Sequence, residues 1–395
     1  ETFRVHRHTA VPMETRGLLA DWRDGRLTLC GATKVPFAIR AHLARLLGLP
    51  ESAVDVIEND AGGGFGARGE FYPEDFLIPF AARALGRPVK WIEERGEHLL
   101  ATTHAREVDC ELEIACTRDG TILALRGRAR TDLGAYVRPN VVSGSRNIAQ
   151  MIAGPYRIPH LRMEVSMVLT NKTPAGSYRG PGRFEADFCR ERLFDIAARE
   201  LGIDAVEFRR RNLLGGAEIP QALPTVQPYN ATGNLDSGDY GATFARCLAE
   251  FGWQDKAPLA GRLIDGRWHG LGIGCYIEGG AVGPRELARI RLAPDGMLEV
   301  ATGVSSVGQG VETVFAQIAA EALCVPLTRI RGVTHGSTTT IREGFGAYAS
   351  RGAVMGGSAM LIAADNLKQA IRETAAKQFG CAADEVEIAD ELASV

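Results

Sequence analysis

Four glycine-rich turns are the segments of this chain whose residue types could do chemistry. Each turn separates a strand-like run from a helix-like run, and they span residues 61–66, 176–182, 307–310 and 344–350. Bare backbone N–H groups at a glycine turn or a helix N-terminus attract anions. Glycine also lets a ligand approach the main chain closely. Four such turns therefore predict several backbone cradles around one extended, polar ligand that carries phosphate.

The second turn is the most distinctive, because Tyr178 and Arg179 project from it just before a predicted helix. An arginine in this position can hold an oxo group or a phosphate with a rigid fork of donors. The competing interpretation is that Arg179 pairs with a nearby carboxylate. For Arg183, pairing with Glu185 or Asp187 is the preferred interpretation.

The third and fourth turns place polar groups at two further helix starts. Gln309 stands between Gly308 and Gly310, and its amide can both donate and accept hydrogen bonds. Ala349 and Ser350 precede a long predicted helix, whose first amides are free donors. Ser350 could equally serve as the N-cap of that helix, so a purely structural role stays open.

The first turn offers a rival interpretation, since residues 64–69 spell G-x-G-x-x-G. Glu93 ends the next predicted strand, roughly where a dinucleotide-binding fold holds the ribose. Two features weaken a nicotinamide-dependent dehydrogenase: the following helix is predicted to begin only at Pro73, and Glu70 and its acidic neighbours would repel a pyrophosphate. A P-loop is excluded because no Gly-Lys-[Ser/Thr] follows.

Familiar catalytic and metal-binding patterns are missing from the sequence. It contains no H-E-x-x-H, no G-x-S-x-G and no C-x-x-C, and His6-x-His8 alone is a poor metal site. An iron–sulfur cluster or structural zinc within the chain is therefore not expected. The eight cysteines are interpreted as scattered, buried thiols in a reducing compartment.

Length and charge bound the class of protein. The 395 residues are enough for two or more domains, and the net charge of −3 argues against a broad nucleic-acid surface. No run of 18 apolar residues exists, so no membrane span is predicted. The chain opens without an initiator Met, which suggests a fragment or one piece of a processed polypeptide.

The elements that position the turns read as a mixture of hairpins and helices. Asp-Gly turns predict three hairpins, and apolar periodicity predicts five helices. The hairpins lie at 18–29, 112–125 and 290–300, and the helices at 37–47, 74–85, 185–201, 312–323 and 354–378. Residues 215–240 read as a connection between two halves. We therefore predict an α+β fold of mixed sheets with packed helices.

Segments from three of the turns, taken together and in order, resemble a known family. Residues 62–66, 170–182 and 308–321 resemble the molybdopterin-binding subunit of the xanthine dehydrogenase, aldehyde oxidase and carbon monoxide dehydrogenase family, and the resemblance runs across essentially the whole chain. It implies two molybdopterin-binding domains, at 1–230 and 231–395, the second lacking its C-terminal part.

The resemblance also implies the chemistry. The expected cofactor is a molybdopterin, in bacteria often extended with cytosine dinucleotide, which holds molybdenum by its dithiolene, so that the protein supplies no direct metal ligand. Such enzymes hydroxylate an aldehyde or N-heterocycle with water as the oxygen source. Electrons leave through iron–sulfur and FAD modules, expected here on partner chains or domains. The resemblance implies cytoplasmic assembly, with export on a partner-borne signal left open.

Site residues follow from the same resemblance. The first turn is expected near the metal, Tyr178 and Arg179 beside it, Gln309 on the pterin, and Ala349 and Ser350 around its phosphate or pterin part. The full set of expected cofactor-binding residues is Gly63, Gly64, Phe65, Gly66, Tyr178, Arg179, Gly308, Gln309, Gly310, Ala349 and Ser350. The expected substrate-pocket positions are Lys34, Gly69, Asn147 and Pro181.

Departures from the family pattern limit the substrate. Lys34 stands where xanthine and aldehyde enzymes often have a glutamine, and Gly69 and Asn147 replace residues that xanthine enzymes use. Gly180 replaces the cysteine of carbon monoxide dehydrogenases. The Gly-x-Gly-Glu segment that carries the family's general base is not in this chain, so its catalytic residue is unknown. The alternative interpretation is a truncated, inert relative or an assembly module.

Overall fold

A computed structural model describes residues 1–31, 33–228, 232–389 and 392–395. Within these ranges the α-helices are α1 (Pro36–Leu47), α2 (Pro73–Leu85), α3 (Arg95–Ala101), α4 (Val142–Met151), α5 (Arg183–Leu201), α6 (Ala205–Asn212), α7 (Tyr240–Phe251), α8 (Trp253–Lys256), α9 (Val311–Leu323) and α10 (Gly357–Phe379).

The strands in the same ranges are numbered in chain order. They are β1 (Thr2–Val5), β2 (His8–Thr9), β3 (Gly17–Arg23), β4 (Arg26–Gly31), β5 (Val54–Ile57), β6 (Val89–Ile92), β7 (His104–Ala105), β8 (Val108–Cys116), β9 (Ile122–Asp132), β10 (His160–Val168), β11 (Gln221–Ala222), β12 (Asn234–Leu235), β13 (Leu263–Ile264), β14 (Arg267–Trp268), β15 (Ala288–Leu292), β16 (Leu298–Thr302), β17 (Ile330–His335), β18 (Glu387–Ala389) and β19 (Leu392–Ser394).

The chain forms two compact units, and neither is continuous in sequence. The first unit combines Glu1–Thr9 with Thr102–Glu278, and the second combines Ala10–Ala101 with Gly279–Val395. This division differs from the predicted one between residues 230 and 231. Those two residues lie outside the described part of the chain, so the predicted boundary remains a prediction.

The first unit is built on a four-stranded sheet in the order β1-β8-β9-β10. Strands β1, β8 and β9 pair antiparallel, whereas β10 runs parallel to β9. Leu112 and Leu125 on one face pack with Ile148 of α4 and Leu193 of α5. The opposite face carries exposed cross-strand ion pairs such as Glu111–Arg128, because successive side chains of a strand point to opposite faces.

The second unit is built on two larger sheets, besides the short pair β18-β19. The sheet β5-β4-β3-β6 packs against α1 and α2 over a core that includes Leu27, Leu43 and Val56. The sheet β15-β16-β17 packs against α9 and α10 over a core that includes Phe315 and Met360. Each sheet therefore buries one apolar face beneath a pair of helices.

One connection recurs three times in these units. An antiparallel hairpin is followed by a helix and then by a strand that lies parallel to the hairpin's second strand. The three instances are β3-β4-α1-β5, β8-β9-α4-β10 and β15-β16-α9-β17. Three of the four glycine turns, the first, second and fourth, follow the last strand of such a motif. The third follows the hairpin of the last motif.

The structure confirms the α+β class, the three hairpins and the five predicted helices. The long helix begins at Gly357, later than predicted, because a π-helical turn at Gly352–Gly356 precedes it. Five helices, α3, α4, α6, α7 and α8, were not predicted, although Asp204 and Asp239 cap the starts of α6 and α7. No helix in the described ranges is long and apolar enough to span a lipid bilayer.

Candidate functional site

The first turn, in the second unit, has an unusual backbone. Gly63 and Gly66 have φ of 101° and 117°, and Phe65 between them has φ of 50°. A non-glycine residue in the left-handed region is strained, and such strain collects at binding sites. Phe65 is also 45% exposed despite its size. The turn therefore holds a large aromatic side chain outward in a strained conformation.

The third turn lies against the first within the second unit. A Cβ atom on Gly64 would be 3.7 Å from Cγ1 of Val307, and one on Gly308 would be 3.2 Å from the Ala61 carbonyl oxygen. The side chain of Gln309 is used inside its own turn. It accepts from the Val307 N–H at 2.6 Å and donates to the Ser305 carbonyl at 2.8 Å. Gln309 thus closes the turn, and a contact with a pterin would exchange these bonds.

The fourth turn contains two consecutive left-handed residues, Ala349 with φ of 46° and Ser350 with φ of 53°. Successive residues in such turn conformations can turn their N–H groups into an anion-binding concavity. The helical segment that follows has Arg351 at its N-cap with no side-chain cap hydrogen bond. The alternative role of Ser350 as an N-cap is therefore not what the structure shows.

A fully buried arginine supports the fourth turn. Arg351 forms an ion pair with buried Glu286, and its Nε donates to the Val282 carbonyl at 3.0 Å. Glu286 also accepts from the backbone N–H of Phe345 at 3.4 Å. Burial raises the pKa of Glu286, although Arg351 and these N–H donors oppose that shift. The strained backbone at 349–350 therefore rests on a buried charged pair.

Lys34 and Gly69, two of the predicted substrate-pocket residues, are neighbours in the second unit. A Cβ on Gly69 would be 2.2 Å from Cε of Lys34, so a larger residue at position 69 would displace the end of the lysine side chain. The Lys34 carbonyl accepts from the Ala347 N–H at 3.0 Å, which joins it to the fourth turn. Burial lowers the pKa of Lys34, and Glu70 partly opposes this. Lys34 is thus placed between Gly69, which follows the first turn, and the fourth turn.

In the first unit, Arg106 organises the second turn. Its guanidinium donates to the carbonyls of Tyr178 at 3.3 Å, of Arg179, and of Gly180 at 3.4 Å. It also pairs with Glu185 at 3.1 Å and lies 4.6 Å from the centre of the Tyr178 ring. Burial raises the pKa of Glu185, although Arg106 opposes this. Arg106 itself has φ of 72°, a strained value for its residue type.

The other two substrate-pocket candidates also meet, in the first unit. Asn147 donates from Nδ2 to the Pro181 carbonyl at 2.9 Å. Arg179 is exposed, and no carboxylate pairs with it among the residues that the structure describes, which leaves it available to a ligand. The predicted partners of Arg183 were wrong: it pairs with Glu278 at 2.9 Å, because Glu185 is taken by Arg106.

The structure argues against a dinucleotide site at the first turn, because Glu93, the residue expected to bind the ribose, has other partners. Helix α2 begins at Pro73, as predicted. Glu93 is buried, and it accepts from the Arg16 guanidinium at 2.6 Å and faces Nδ1 of His98 at 2.9 Å. A carboxylate held in this way is not available to a ribose. All eight cysteines are free, but only Cys110 and Cys189 are fully buried, so the prediction of buried thiols was only partly right.

Sequence reasoning missed the charged residues that support the second and fourth turns, Arg106, Glu286 and Arg351, and it missed Arg16, the partner of Glu93. Each is a single charged residue far in sequence from at least one of its partners, and no local pattern marks it. The signal that could have suggested Arg351 is weak, namely an arginine in a segment that is otherwise apolar or glycine-rich, and Arg106 lies among polar residues without even that signal.

Comparison with known families covers both parts of the sequence. A model described as molybdopterin cofactor-binding domain matches residues 1–213, and a second model with the same description matches residues 246–395. The chain belongs to the molybdopterin cofactor-binding domain family, as the resemblance predicted.

Three similar proteins show how much of this chain, and how much of each relative, the similarity covers. The chain is 37% identical over 97% of its length to 6-hydroxypseudooxynicotine dehydrogenase complex subunit gamma from Paenarthrobacter nicotinovorans. It is 34% identical over 98% of its length to the nicotine 6-hydroxylase large subunit from the same organism. It spans about half of each, 48% and 49%. The crystal structure of quinoline 2-oxidoreductase from Pseudomonas putida 86 matches with a TM-score of 0.87 and 35% identity, over 100% of this chain and 51% of that one.

The residues present fit such a cofactor. The left-handed pair Ala349–Ser350 offers a backbone concavity of the kind that binds anions. In the same unit, helix α9 follows Gly310, which provides no side-chain cap, so its first turn is open to an anionic partner. A ligand with a phosphate and several polar ring atoms suits this mixture of backbone donors.

Proposed function

We propose that this chain forms the cofactor-holding part of a molybdenum-dependent oxidoreductase of the xanthine dehydrogenase and aldehyde oxidase type. The observation that carries the proposal is the contact between the first and third glycine turns in the second unit, with Lys34 linking Gly69, just after the first turn, to the fourth turn; the first and fourth turns contain strained non-glycine residues. The molybdopterin cofactor, when bound, would supply hydroxylation of an electron-poor carbon with water as the oxygen source. The proposed domain division is 1–230 and 231–395.

The chain's own residues would position the cofactor. Gly63 to Gly66 would allow its metal end to approach the backbone, and the turn closed by Gln309 would face the pterin. Ala349 and Ser350 would receive its phosphate or pterin part. In the first unit, Tyr178 and Arg179 would add contacts from a turn that Arg106 holds in place. Lys34 and Gly69, and separately Asn147 and Pro181, would line the substrate side.

The relatives favour an N-heterocycle over an aldehyde as substrate. Two of them are named for nicotine and quinoline, which contain nitrogen rings. The carbon monoxide reaction is disfavoured because Gly180 stands where a cysteine is expected. We further propose iron–sulfur and FAD partners, a cytosine dinucleotide extension on the pterin, and a cytoplasmic location, all of which the family resemblance implies.

Cofactor content tests the proposal directly. The full-length protein that contains this chain would be made in a molybdopterin-competent host, with and without its neighbouring subunits. Molybdenum would be measured by elemental analysis and pterin by fluorescence after oxidation. We expect near-stoichiometric amounts of both in the assembled protein. Absence of both there would contradict the enzyme and favour the alternative of an inert relative or assembly module.

A pair of glycine substitutions tests the turn itself. Gly64→Ala adds a methyl group whose nearest neighbours would be 3.7 Å away, a normal contact, so the turn should fold. The methyl group would nevertheless occupy the space proposed for the cofactor, and we expect molybdenum content to fall severalfold. Gly332→Ala in β17, where nothing lies within 4 Å, is the matched control. Equal molybdenum content in both variants would exclude this part of the first turn from the site.

A further inference from the structure

Three ligand-type side chains from distant parts of the sequence meet in the second unit. His335 ends β17, Glu312 lies in the first turn of α9, and Asp60 follows β5. Their ligand atoms all lie within 4.8 Å of one another, and Nε2 of His335 is 2.7 Å from Oε1 of Glu312. Sequence spacing could not reveal the group, because its members come from three separate segments.

A fourth residue, Glu58, lies behind the histidine. It is 7% exposed, and Oε2 is 3.6 Å from Nδ1 of His335. Neither carboxylate oxygen, nor Nδ1 of His335, makes a hydrogen bond of ordinary length to another described group. A carboxylate behind one imidazole nitrogen fixes the tautomer of a metal-binding histidine and directs the other nitrogen to the ion. Glu58 and His335 lie in this order, and closing the 3.6 Å gap to hydrogen-bond distance would complete the arrangement.

The backbone is shaped around this buried carboxylate. Gly336 has φ of 61°, and a Cβ there would be 1.3 Å from Oε2 of Glu58, so no side chain fits. The Glu58 N–H donates to Oγ of Ser337 at 3.0 Å. Residues 335–337 thus enclose Glu58 and fix its position behind His335.

The charge of the group is unbalanced. Asp60, Glu312 and Glu58 place three carboxylates around one imidazole, and none of them is paired with a lysine or arginine in the described part of the chain. Clustered carboxylates are stabilised by a nearby positive charge, and without one a buried carboxylate tends to take up a proton instead. A single protonated histidine can supply only one positive charge.

We propose that Asp60, Glu312 and Nε2 of His335 bind a divalent cation of the first transition series, with Glu58 as the residue that orients the histidine. One imidazole and two carboxylates form a donor set that suits Mn²⁺, Fe²⁺ or Zn²⁺. Mg²⁺ and Ca²⁺ prefer oxygen ligands alone and suit this set less well. The cation takes the place of the proton that His335 otherwise shares with Glu312, so its binding releases a proton.

Manganese titration tests the site without reference to turnover. The full-length, assembled protein is freed of loosely bound metals with a chelator and titrated with Mn²⁺, and free Mn²⁺ is followed by its six-line electron paramagnetic resonance signal. We expect one saturable site per chain. Zn²⁺ should displace the bound Mn²⁺, whereas Mg²⁺ should do so only in large excess.

Four substitutions assign the ligands. Asp60→Asn and Glu312→Gln change partly exposed side chains, so they should fold, and each should weaken Mn²⁺ binding at least tenfold. Glu58→Gln should weaken it by about tenfold, the usual effect of losing an orienting partner. Glu321→Gln, at an exposed position of the same helix α9, is the control and should leave binding unchanged. No saturable Mn²⁺ or Zn²⁺ binding, or equal binding in Asp60→Asn, Glu312→Gln and the control, would overturn the proposal.

Discussion

Arg106 shows how one buried side chain can prepare a turn for a ligand. Its guanidinium donates hydrogen bonds to the carbonyls of Tyr178, Arg179 and Gly180, so these three carbonyls face the same side of the second turn. The C=O and N–H groups of a trans peptide point in opposite directions. The N–H groups of Arg179 and Gly180 are therefore turned away from Arg106, toward the side where an anion could bind.

Arg106→Met should strongly destabilise the first unit. The substitution removes the hydrogen bonds to three carbonyls and leaves Glu185 buried without its partner. Breaking a buried ion pair on one side costs about 3–5 kcal/mol. Thermal or denaturant unfolding of the protein would measure the loss. Because burial already raises the pKa of Glu185, the double variant with Glu185→Gln should recover part of the stability.

Two further variants separate charge from shape at Arg106. Arg106→Lys keeps the charge but lacks the planar fork, so it should recover less than half of the loss. Arg126→Met breaks an exposed pair with Glu113 on the sheet surface and serves as the control, with no measurable change expected. A Met variant at 106 as stable as this control would show that the second turn holds its shape without Arg106.

At the scale of elements, the recurring hairpin–helix–parallel-strand connection explains where the turns lie. Three turns follow the last strand of this motif, and the carboxyl ends of parallel strands are where ligands gather in open sheets. Lys34 and Gln309 occupy matching places, each between the hairpin and the helix of a motif, β3-β4-α1 and β15-β16-α9. The repeated connection thus places similar loops at the same step of each motif.

The sequence allowed the local elements to be predicted but not their partners. Asp-Gly turns and apolar periodicity are local signals, and they located the hairpins and five helices. The parallel pairing of β5 with β4, or of β17 with β16, depends on contacts across a whole helix and leaves no local pattern. For the same reason the ion pair between Arg351 and Glu286, which lie 65 residues apart, could not be predicted. The glycine turns could be predicted because a backbone position that needs a positive φ usually carries glycine, and glycine is visible in the sequence.

The edge of the sheet β5-β4-β3-β6 depends on one buried carboxylate. Glu93, just after β6, accepts from the guanidinium of Arg16 at 2.6 Å and from its backbone N–H at 3.0 Å. Arg16 also reaches Glu74 in α2 at 3.2 Å. Burial raises the pKa of Glu93, but the Arg16 and His98 hydrogen bonds outweigh it, so the pKa lies below the usual 4.5. The cluster thus ties β3, β6 and α2 together.

This lowered pKa predicts acid sensitivity. A carboxyl group whose pKa is lower in the folded state stabilises the fold above its unfolded pKa. That stability is lost as the pH falls from about 4.5 through the folded pKa. Glu93→Gln should therefore lower the free energy of unfolding by about 3 kcal/mol at pH 7, and its stability should fall less steeply below pH 4.5. Denaturant unfolding from pH 7 to pH 3 would measure both effects.

The neighbouring exposed residue provides the control for Glu93. Glu94→Gln should change the free energy of unfolding at pH 7 by less than about 0.5 kcal/mol, as surface substitutions usually do. If Glu93→Gln kept the full acid dependence of the original protein, the loss of stability at low pH would have to come from other carboxyl groups. The ion pair with Arg16 would then not govern this edge of the sheet.

At the scale of the molecule, sequence order and compactness divide the chain differently. The family models match two consecutive stretches, 1–213 and 246–395. The first compact unit instead leaves out Ala10–Ala101 and continues to Glu278. Phe244 of α7 packs with Phe194 and Phe208 in a core of that unit. A division near residue 230 would separate α7 from this core.

Two fragments would decide which division is a folding boundary. Residues 102–278 keep α7 and the Cys275 carbonyl that accepts from buried Arg190 at 2.6 Å, whereas residues 102–228 lose both. Uncovering apolar side chains and a buried arginine together costs more than a domain's usual margin of about 5–15 kcal/mol can absorb. We therefore expect the longer fragment to unfold cooperatively in circular dichroism and the shorter one to show no transition. Both fragments lack β1, so its absence affects them equally. Cooperative unfolding of the shorter fragment would instead support a domain boundary near residue 230, and α7 would then be an addition to a core that is complete without it.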